Sequence, residues 1–519
     1  MNDTTELSLR EQLAQLMMIR IGSNLPPAKS VDDDAARVAA LLAAEPLGGL
    51  LLFHGRFPSS VDVLNHLQAS ARRPLLIGSD LERGCGQQMA GLAMLPHAMI
   101  VDQVADGEQS ARRFGQLTGQ QARACGIHLV FAPVADVHTN AQNPIIATRA
   151  LSRQPDRAAR FVQAFVEGVQ QSGAAATIKH FPGHGDTQQD SHDSLPTVPH
   201  SAERLEQVEL LPFAAGVTAG AKLVMTAHVA YPSFDSSGAP ASLSAPIIEG
   251  VLRQRLKFDG VVCSDSLLMA GVKERFAGEG ELCLAALLAG IDLLLDVDQP
   301  TLVLDYLEQA VESGRLSRQR IATALARVDS LRAWIASQGS WTGSAERAAE
   351  IDTEAIQFGR DLAASGIEQR QTGTAAWRCD RPTLAVMLRP FRTPLDPAEQ
   401  PLANALRERL TDVEYRELGP EATASDYDEL QRLAAEAQQV VVAAVVKPAA
   451  WQTFGLLDHQ RRFVEWVSNQ HACCAGIALG VPEALDGFDF SAGLWCTFSD
   501  VAVCQQAAAE RLATLGSSR

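Results

Sequence analysis

The sequence predicts an α/β protein in two parts, an N-terminal (β/α)8 TIM-type barrel followed by a smaller α/β sandwich domain. Three observations carry that expectation. Eight short apolar runs alternate with segments of helical periodicity over about the first 300 residues. Such runs suit parallel strands buried on both faces. Polar and charged residues gather at the C-terminal ends of the runs, the face on which a barrel of this kind carries its site. Beyond residue 337 the pattern weakens, and a fresh α/β alternation begins at Pro382.

Taken in order, the runs are 15–22 (QLMMIRIG), 47–53 (LGGLLLF), 74–80 (PLLIGSD), 127–134 (IHLVFAPV), 175–181 (AATIKHF), 221–228 (AKLVMTAH), 259–265 (DGVVCSD) and 291–296 (IDLLLD). Between the fourth and fifth, Phe161, Val162, Phe165, Val166 and Val169 follow Pro155 at three- and four-residue steps and stop before Gly173, which predicts one amphipathic helix. An open doubly wound sheet is the structural rival, but no GxGxxG turn follows the first run. The expected division is therefore a catalytic barrel over 1–337, a polar connector over 338–381 with a helix near 346–364, and a sandwich domain over 382–519. In that last part PTLAVML, DVEYREL, QVVVAAVV, CAGIALG and LWCTF are the strand candidates, with helices at 427–437 and 458–468.

Composition narrows the partners. Of 519 residues 46% are hydrophobic and 20% charged, an ordinary balance for a globular chain. A formal charge of −17 excludes nucleic acid and anionic membrane, which both reward clustered Lys and Arg. The amino terminus has no positive region followed by an apolar core, and no apolar stretch reaches a membrane span, so a cytoplasmic location is expected. The nine cysteines have neither CxxC pairing nor regular spacing and read as reduced thiols, not as metal ligands or disulfides. No cofactor motif is present.

Candidate chemistry concentrates after the fifth run, in KHFPGHGDTQQDSHDSLP (179–196). Three histidines and three aspartates fall within eighteen residues, and Gly183 and Gly185 are expected to keep the backbone pliable. A further acid, Asp265, closes the seventh run, where a carboxylate would be a costly core residue. Capping the following helix does not account for it, because Ser266 could cap equally well.

These segments together resemble the bacterial β-N-acetylglucosaminidases of glycoside hydrolase family 3. KHFPGHGDT with DSH and LP carries the likeness, supported by FAPVADV around Asp136, NPIIATR around Arg149, VMTAHVAYPSFD around His228 and SDSLLM. The resemblance implies a retaining hydrolase that removes a terminal β-linked N-acetylhexosamine from a small carbohydrate. In it Asp265 is the nucleophile, and His192 with Asp190 forms the acid/base dyad. Asp80, Arg149, Lys179, His180 and His228 are implied as substrate-binding residues, while Asp136 is read as structural. A histidine titrating near neutral pH suits the double task of protonating a leaving oxygen and then activating water.

One segment departs from the family pattern. Where relatives have approximately Asp-x-Glu-Gly-Gly-Arg-x-x-Arg, this chain has DLERGCGQQ (80–88), so Cys85 and Gln88 stand in place of two arginines. The expectation is that cations are lost near the sugar pocket. Alternatives within the family are a phosphorylase, whose incoming phosphate a histidine would not repel, and a β-glucosidase-type hydrolase. Outside it stand a metal-dependent barrel hydrolase and a non-catalytic sugar-binding protein.

Overall fold

The structure, a computed structural model, describes residues 7–187, 195–393, 396, 399–449, 451, 452 and 454–517. The chain divides into two compact units. One comprises Met1–Met94, Glu108–Asn143 and Ala150–Ala355, the other Leu95–Gly107, Pro144–Arg149 and Ile356–Arg519.

The first unit is an eight-stranded parallel barrel. Its strands are β1 (Met17–Ile21), β2 (Gly49–Leu52), β3 (Leu76–Ser79), β4 (Leu129–Val130), β5 (Ala175–Phe181), β6 (Leu223–Thr226), β7 (Val261–Ser264) and β8 (Leu294–Leu295). Each lies inside the apolar run that predicted it. Neighbours pair in chain order, and β8 returns to β1 with Met17 opposite Leu294 and Met18 opposite Leu295. A parallel bridge between Cys263 and Leu293 joins β7 to β8 and completes the ring. The strands read as unbroken apolar runs because both faces are covered; all seven residues of β5 are buried.

The predicted helix is α1 (Pro155–Gln171), started by a proline in its first turn and ended before Gly173, which sits at φ 78. Phe161, Val162, Phe165, Val166 and Val169 line its buried face. Phe165 meets Phe114 with ring centroids 5.7 Å apart. Each such side chain contributes about 1.5–3 kcal/mol through burial.

Ionic order at the opposite, N-terminal end of the barrel rests on Asp292, just before β8. Its fully buried carboxylate accepts from Arg253 at 2.6 Å and from Arg320 and Arg327 at 3.1 Å each, and from the Val262 amide at 3.1 Å.

In the second unit β9 (Glu368–Thr372), β10 (Thr383–Leu388), β11 (Val413–Leu418), β12 (Gln439–Ala444), β13 (Cys474–Ala478) and β14 (Gly493–Cys496) form one sheet in the order β9-β14-β13-β12-β10-β11. All pairs are parallel except β9 with β14, which is antiparallel with a register shift between Gln369 and Gln371. Trp377, Met387, Tyr415, Ile477, Trp495 and Leu512 belong to its core. The stretch expected as a connector contains the helix Ala345–Ser365 and then β9, which is a member of this sheet. No helix among the described residues is long and apolar enough to cross a membrane.

Replacing Asp292 by Ala would leave three guanidinium groups without their shared carboxylate. The expected loss is about 3–5 kcal/mol of barrel stability, read as a shift in the urea unfolding midpoint.

Candidate active site

The C-terminal ends of the barrel strands bring together most of the residues singled out above. Lys179, near the end of β5, is buried between two carboxylates: its Nζ lies 2.5 Å from Asp80 Oδ1 and 2.7 Å from Glu82 Oε1. Asp80 follows β3, so the ammonium ties two strands that are not sheet neighbours. Asp80 is itself partly exposed at the mouth.

His180 is held by Asp136, in the loop after β4. The His180 backbone amide donates to both Asp136 oxygens at 3.2 Å, and its ring Nδ1 sits 2.7 Å from Oδ2. The His184 amide donates to Oδ1 at 2.6 Å. Burial pushes the Asp136 carboxyl up, but the charges of His180 and His184 and these donors outweigh it, leaving the pKa below the ordinary carboxylate value. Asp136 is fully buried, consistent with the structural reading of it.

The first half of the histidine-rich loop is not pliable. Residues 181–185 are buried, Tyr231 donates its hydroxyl to the Gly183 carbonyl at 2.6 Å, and Asn143 donates to the His184 carbonyl at 2.9 Å. A Cβ on Gly185 would meet the Val137 carbonyl oxygen at 1.8 Å, so glycine is required there for close approach, not for motion. His184 Nδ1 meets the Thr187 hydroxyl at 2.8 Å, and Asp186 meets His200. Asp190 and His192 lie outside the described residues.

Asp265 follows β7 and is partly exposed, with Oδ1 accepting from the Ser266 amide at 2.7 Å. Burial would raise its pKa; His180, His228, the Ser266 amide and Lys179 together hold it below the usual carboxylate range. His228, after β6, is buried with Nδ1 2.7 Å from the Ser242 hydroxyl and Nε2 3.0 Å from the Ser266 carbonyl. It is thus placed against the segment carrying Asp265. Arg149 belongs to the second unit, where its Nη1 donates to the Ile145 carbonyl at 2.9 Å.

In the altered segment 80–88 both unusual positions, Cys85 and Gln88, are buried. Cys85 is completely buried, beside Cys125, with its amide 3.3 Å from Gln121 Oε1. Its side chain faces the protein interior, against Cys125. Gln88 is also buried and accepts from Asn24 Nδ2 at 3.0 Å. Arg83 stays out of the left-handed region because Gly84, at φ 71, makes the turn.

Arg20 and Asp296, which the sequence reading passed over, enter this site together with Ser266, read there only as a possible helix cap. Ser266 donates its hydroxyl to Asp296 at 2.6 Å, and Asp296 accepts from Arg20 Nε at 2.9 Å. Arg20 in MMIRI and Asp296 at the end of IDLLLD are charges within or closing apolar runs. The criterion that selected Asp80 and Asp265 would have selected them too.

A parallel barrel whose C-terminal rim carries a charged carboxylate, set among histidines and a buried lysine, is the frame of a (β/α)8-barrel enzyme. Within that class the chain belongs to glycosyl hydrolase family 3, whose N-terminal domain it matches over residues 8–331. Beta-hexosaminidase of Xylella fastidiosa (strain M23) is 39% identical over 286 residues, 53% of this chain and 83% of that relative. Beta-hexosaminidase A of Pseudoalteromonas piscicida is 29% identical over 327 residues; the match takes in 57% of this chain but only 54% of that protein. The solved glycoside hydrolase family 3 beta-N-acetylglucosaminidase from Paenibacillus sp. str. FPU-7 superposes with a TM-score of 0.86 at 29% identity, covering 98% of this chain and 97% of that one.

The Asp136 cluster generates a pH-dependent expectation. A carboxyl depressed in the folded state adds stability above its unfolded pKa of about 3.9, and that stability is lost as pH falls through the folded value. Asp136→Asn should therefore cost on the order of 3 kcal/mol at pH 7. In urea titrations at several pH values, the gap to wild type should narrow as pH drops below about 4.

Proposed function

We propose that this chain is a retaining β-N-acetylhexosaminidase that removes a terminal β-linked N-acetylhexosamine, GlcNAc in the first instance, from a small carbohydrate. The observation that carries the reading is the Asp265 carboxylate, partly exposed at the barrel mouth yet held in its charged form by the groups around it. A nucleophile of this kind must be ionised in the free enzyme. Family membership supplies the reaction, and the naming of the relatives supplies the sugar class.

In this reading Asp265 attacks the anomeric carbon and forms a covalent glycosyl-enzyme as the aglycone oxygen departs. His192 donates a proton to that oxygen and afterwards takes one from the incoming water, with Asp190 orienting the ring and stabilising its charged form. The dyad rests on the DSH motif. Asp80 with Lys179 contributes a donor and acceptor pair for sugar hydroxyls, a reading supported by their contact and by the partial exposure of Asp80. By the same resemblance His180, Arg149 and His228 are each assigned to sugar binding, and His228 Nε2 also meets the Ser266 carbonyl. A cytoplasmic location and cell-wall fragments as the natural substrate belong to the same proposal.

Asp265→Asn should remove nearly all activity without loss of fold, and a slow fluorinated substrate should label Asp265; label on another carboxylate would refute the assignment. His192→Ala should give a burst and then a slow steady rate with dinitrophenyl substrates, because the leaving group needs no acid while water still needs a base. Each lost proton transfer should cost about 10²–10⁴-fold, with azide restoring part of the rate. Unchanged behaviour would move the proton donor elsewhere. Assaying nitrophenyl β-GlcNAc, β-GalNAc, β-glucose and β-xylose, with and without phosphate, separates the hexosaminidase from the glucosidase and phosphorylase readings.

A further inference from the structure

Ser266 is bound through every polar group it has. Its amide donates to Asp265 Oδ1 at 2.7 Å, its carbonyl lies 3.0 Å from His228 Nε2, and its hydroxyl donates to Asp296 Oδ2 at 2.6 Å. Asp296 comes immediately after β8 and is 1% exposed. It adopts φ 67, in the left-handed region that an aspartate tolerates at a cost and most residues avoid. From that backbone the carboxylate reaches the segment after β7 and a side chain of β1, the two strands beside β8. There Arg20 from β1 meets it with both Nε, at 2.9 Å, and Nη2. The guanidinium in turn lies over the Phe53 ring, 4.9 Å from its centroid.

Two consequences follow from this geometry. The Ser266 hydroxyl, anchored to a group on another strand, fixes the peptide whose N–H holds the Asp265 carboxylate. Asp296 and Asp265 both accept from Ser266, so an unbalanced negative charge on Asp296 would raise the Asp265 pKa, and Arg20 supplies the opposing charge. We infer that Arg20 and Asp296 are a positioning pair for the nucleophile: Asp296 clamps Ser266 so that its amide stays on Asp265, and Arg20 neutralises the clamp. The inference rests on the reading of Asp265 as nucleophile. Among the described residues, the charged and titratable groups acting on that carboxylate are Lys179 and His180 from β5, His228 after β6 and Cys263 on β7, while Asp296 after β8, with Arg20 from β1, reaches it through Ser266. Asp80 and Glu82 act through Lys179, and Asp136 through His180.

The test is the acid limb of kcat/KM against pH in variants of opposite sign. Asp296→Asn keeps a residue that the left-handed backbone accepts, removes the negative charge and leaves Arg20 unbalanced. Its acid limb should move to lower pH. Arg20→Met leaves Asp296 unbalanced, so the limb should move to higher pH. Shifts of about half a unit or more are expected, with kcat reduced about tenfold in each. Arg20→Lys retains the charge without the fork; its limb should stay with wild type while kcat falls. Covalent labelling with the slow fluorinated substrate counts assembled sites, so rates refer to folded enzyme only. Limbs that stay put, or move the same way in both variants, with label still on Asp265, would reduce the pair to a structural clasp and overturn the inference. Label on another carboxylate would instead overturn the nucleophile reading beneath it.

Discussion

The mouth of this barrel depends on a carboxylate that touches no solvent. Asp136 receives the backbone amides of His180 and His184 and the ring nitrogen of His180, so one buried anion sets the path of the chain as it leaves the fifth strand. Burying an anion is costly unless its lone pairs are met by donors, and here the His180 and His184 amides and the His180 ring nitrogen gather on the one carboxylate. The close approach of Gly185 to the Val137 carbonyl follows from the same path, since the loop after β5 must lie flat against the loop after β4. The loop's first turn is therefore as fixed as the strands below it.

Charge is distributed around the rim in alternation. Lys179 is enclosed by Asp80 and Glu82, His180 leans on Asp136, and Asp296 is matched by Arg20. Among the described residues Asp265 accepts a backbone amide, that of Ser266, and the charges of His180, His228 and Lys179 act on it through space. That field keeps its carboxyl below the usual carboxylate range despite the upward push of burial.

How much of this was legible in the sequence depends on how local each cause is. The barrel strands were readable because burial on both faces writes a continuous apolar run, and α1 because its face repeats at helical spacing. Lys179, His180 and His228 announced themselves as polar residues closing apolar runs. What could not be read is pairing across the ring: nothing near Arg20 names Asp296 as its partner, since 276 positions separate them. The burial of Cys85 was hidden for a similar reason, because a motif position says which residue is unusual but not which way it points. β9 was unreadable on other grounds. EQRQT has no apolar side and is recruited by the edge of a sheet that already exists.

That last strand has a consequence for the protein's behaviour in a crowded solution. A parallel sheet ending at β14 would present an apolar, hydrogen-bond-hungry border to any unfolded segment it met. β9 occupies that border with Glu368, Gln369, Arg370 and Gln371, runs antiparallel, and breaks its own register between Gln369 and Gln371. The outward side it offers is short, charged and kinked, each of which discourages a further strand from adding. The five polar residues thus act as a selvedge, keeping the sheet from unravelling into aggregation at that side.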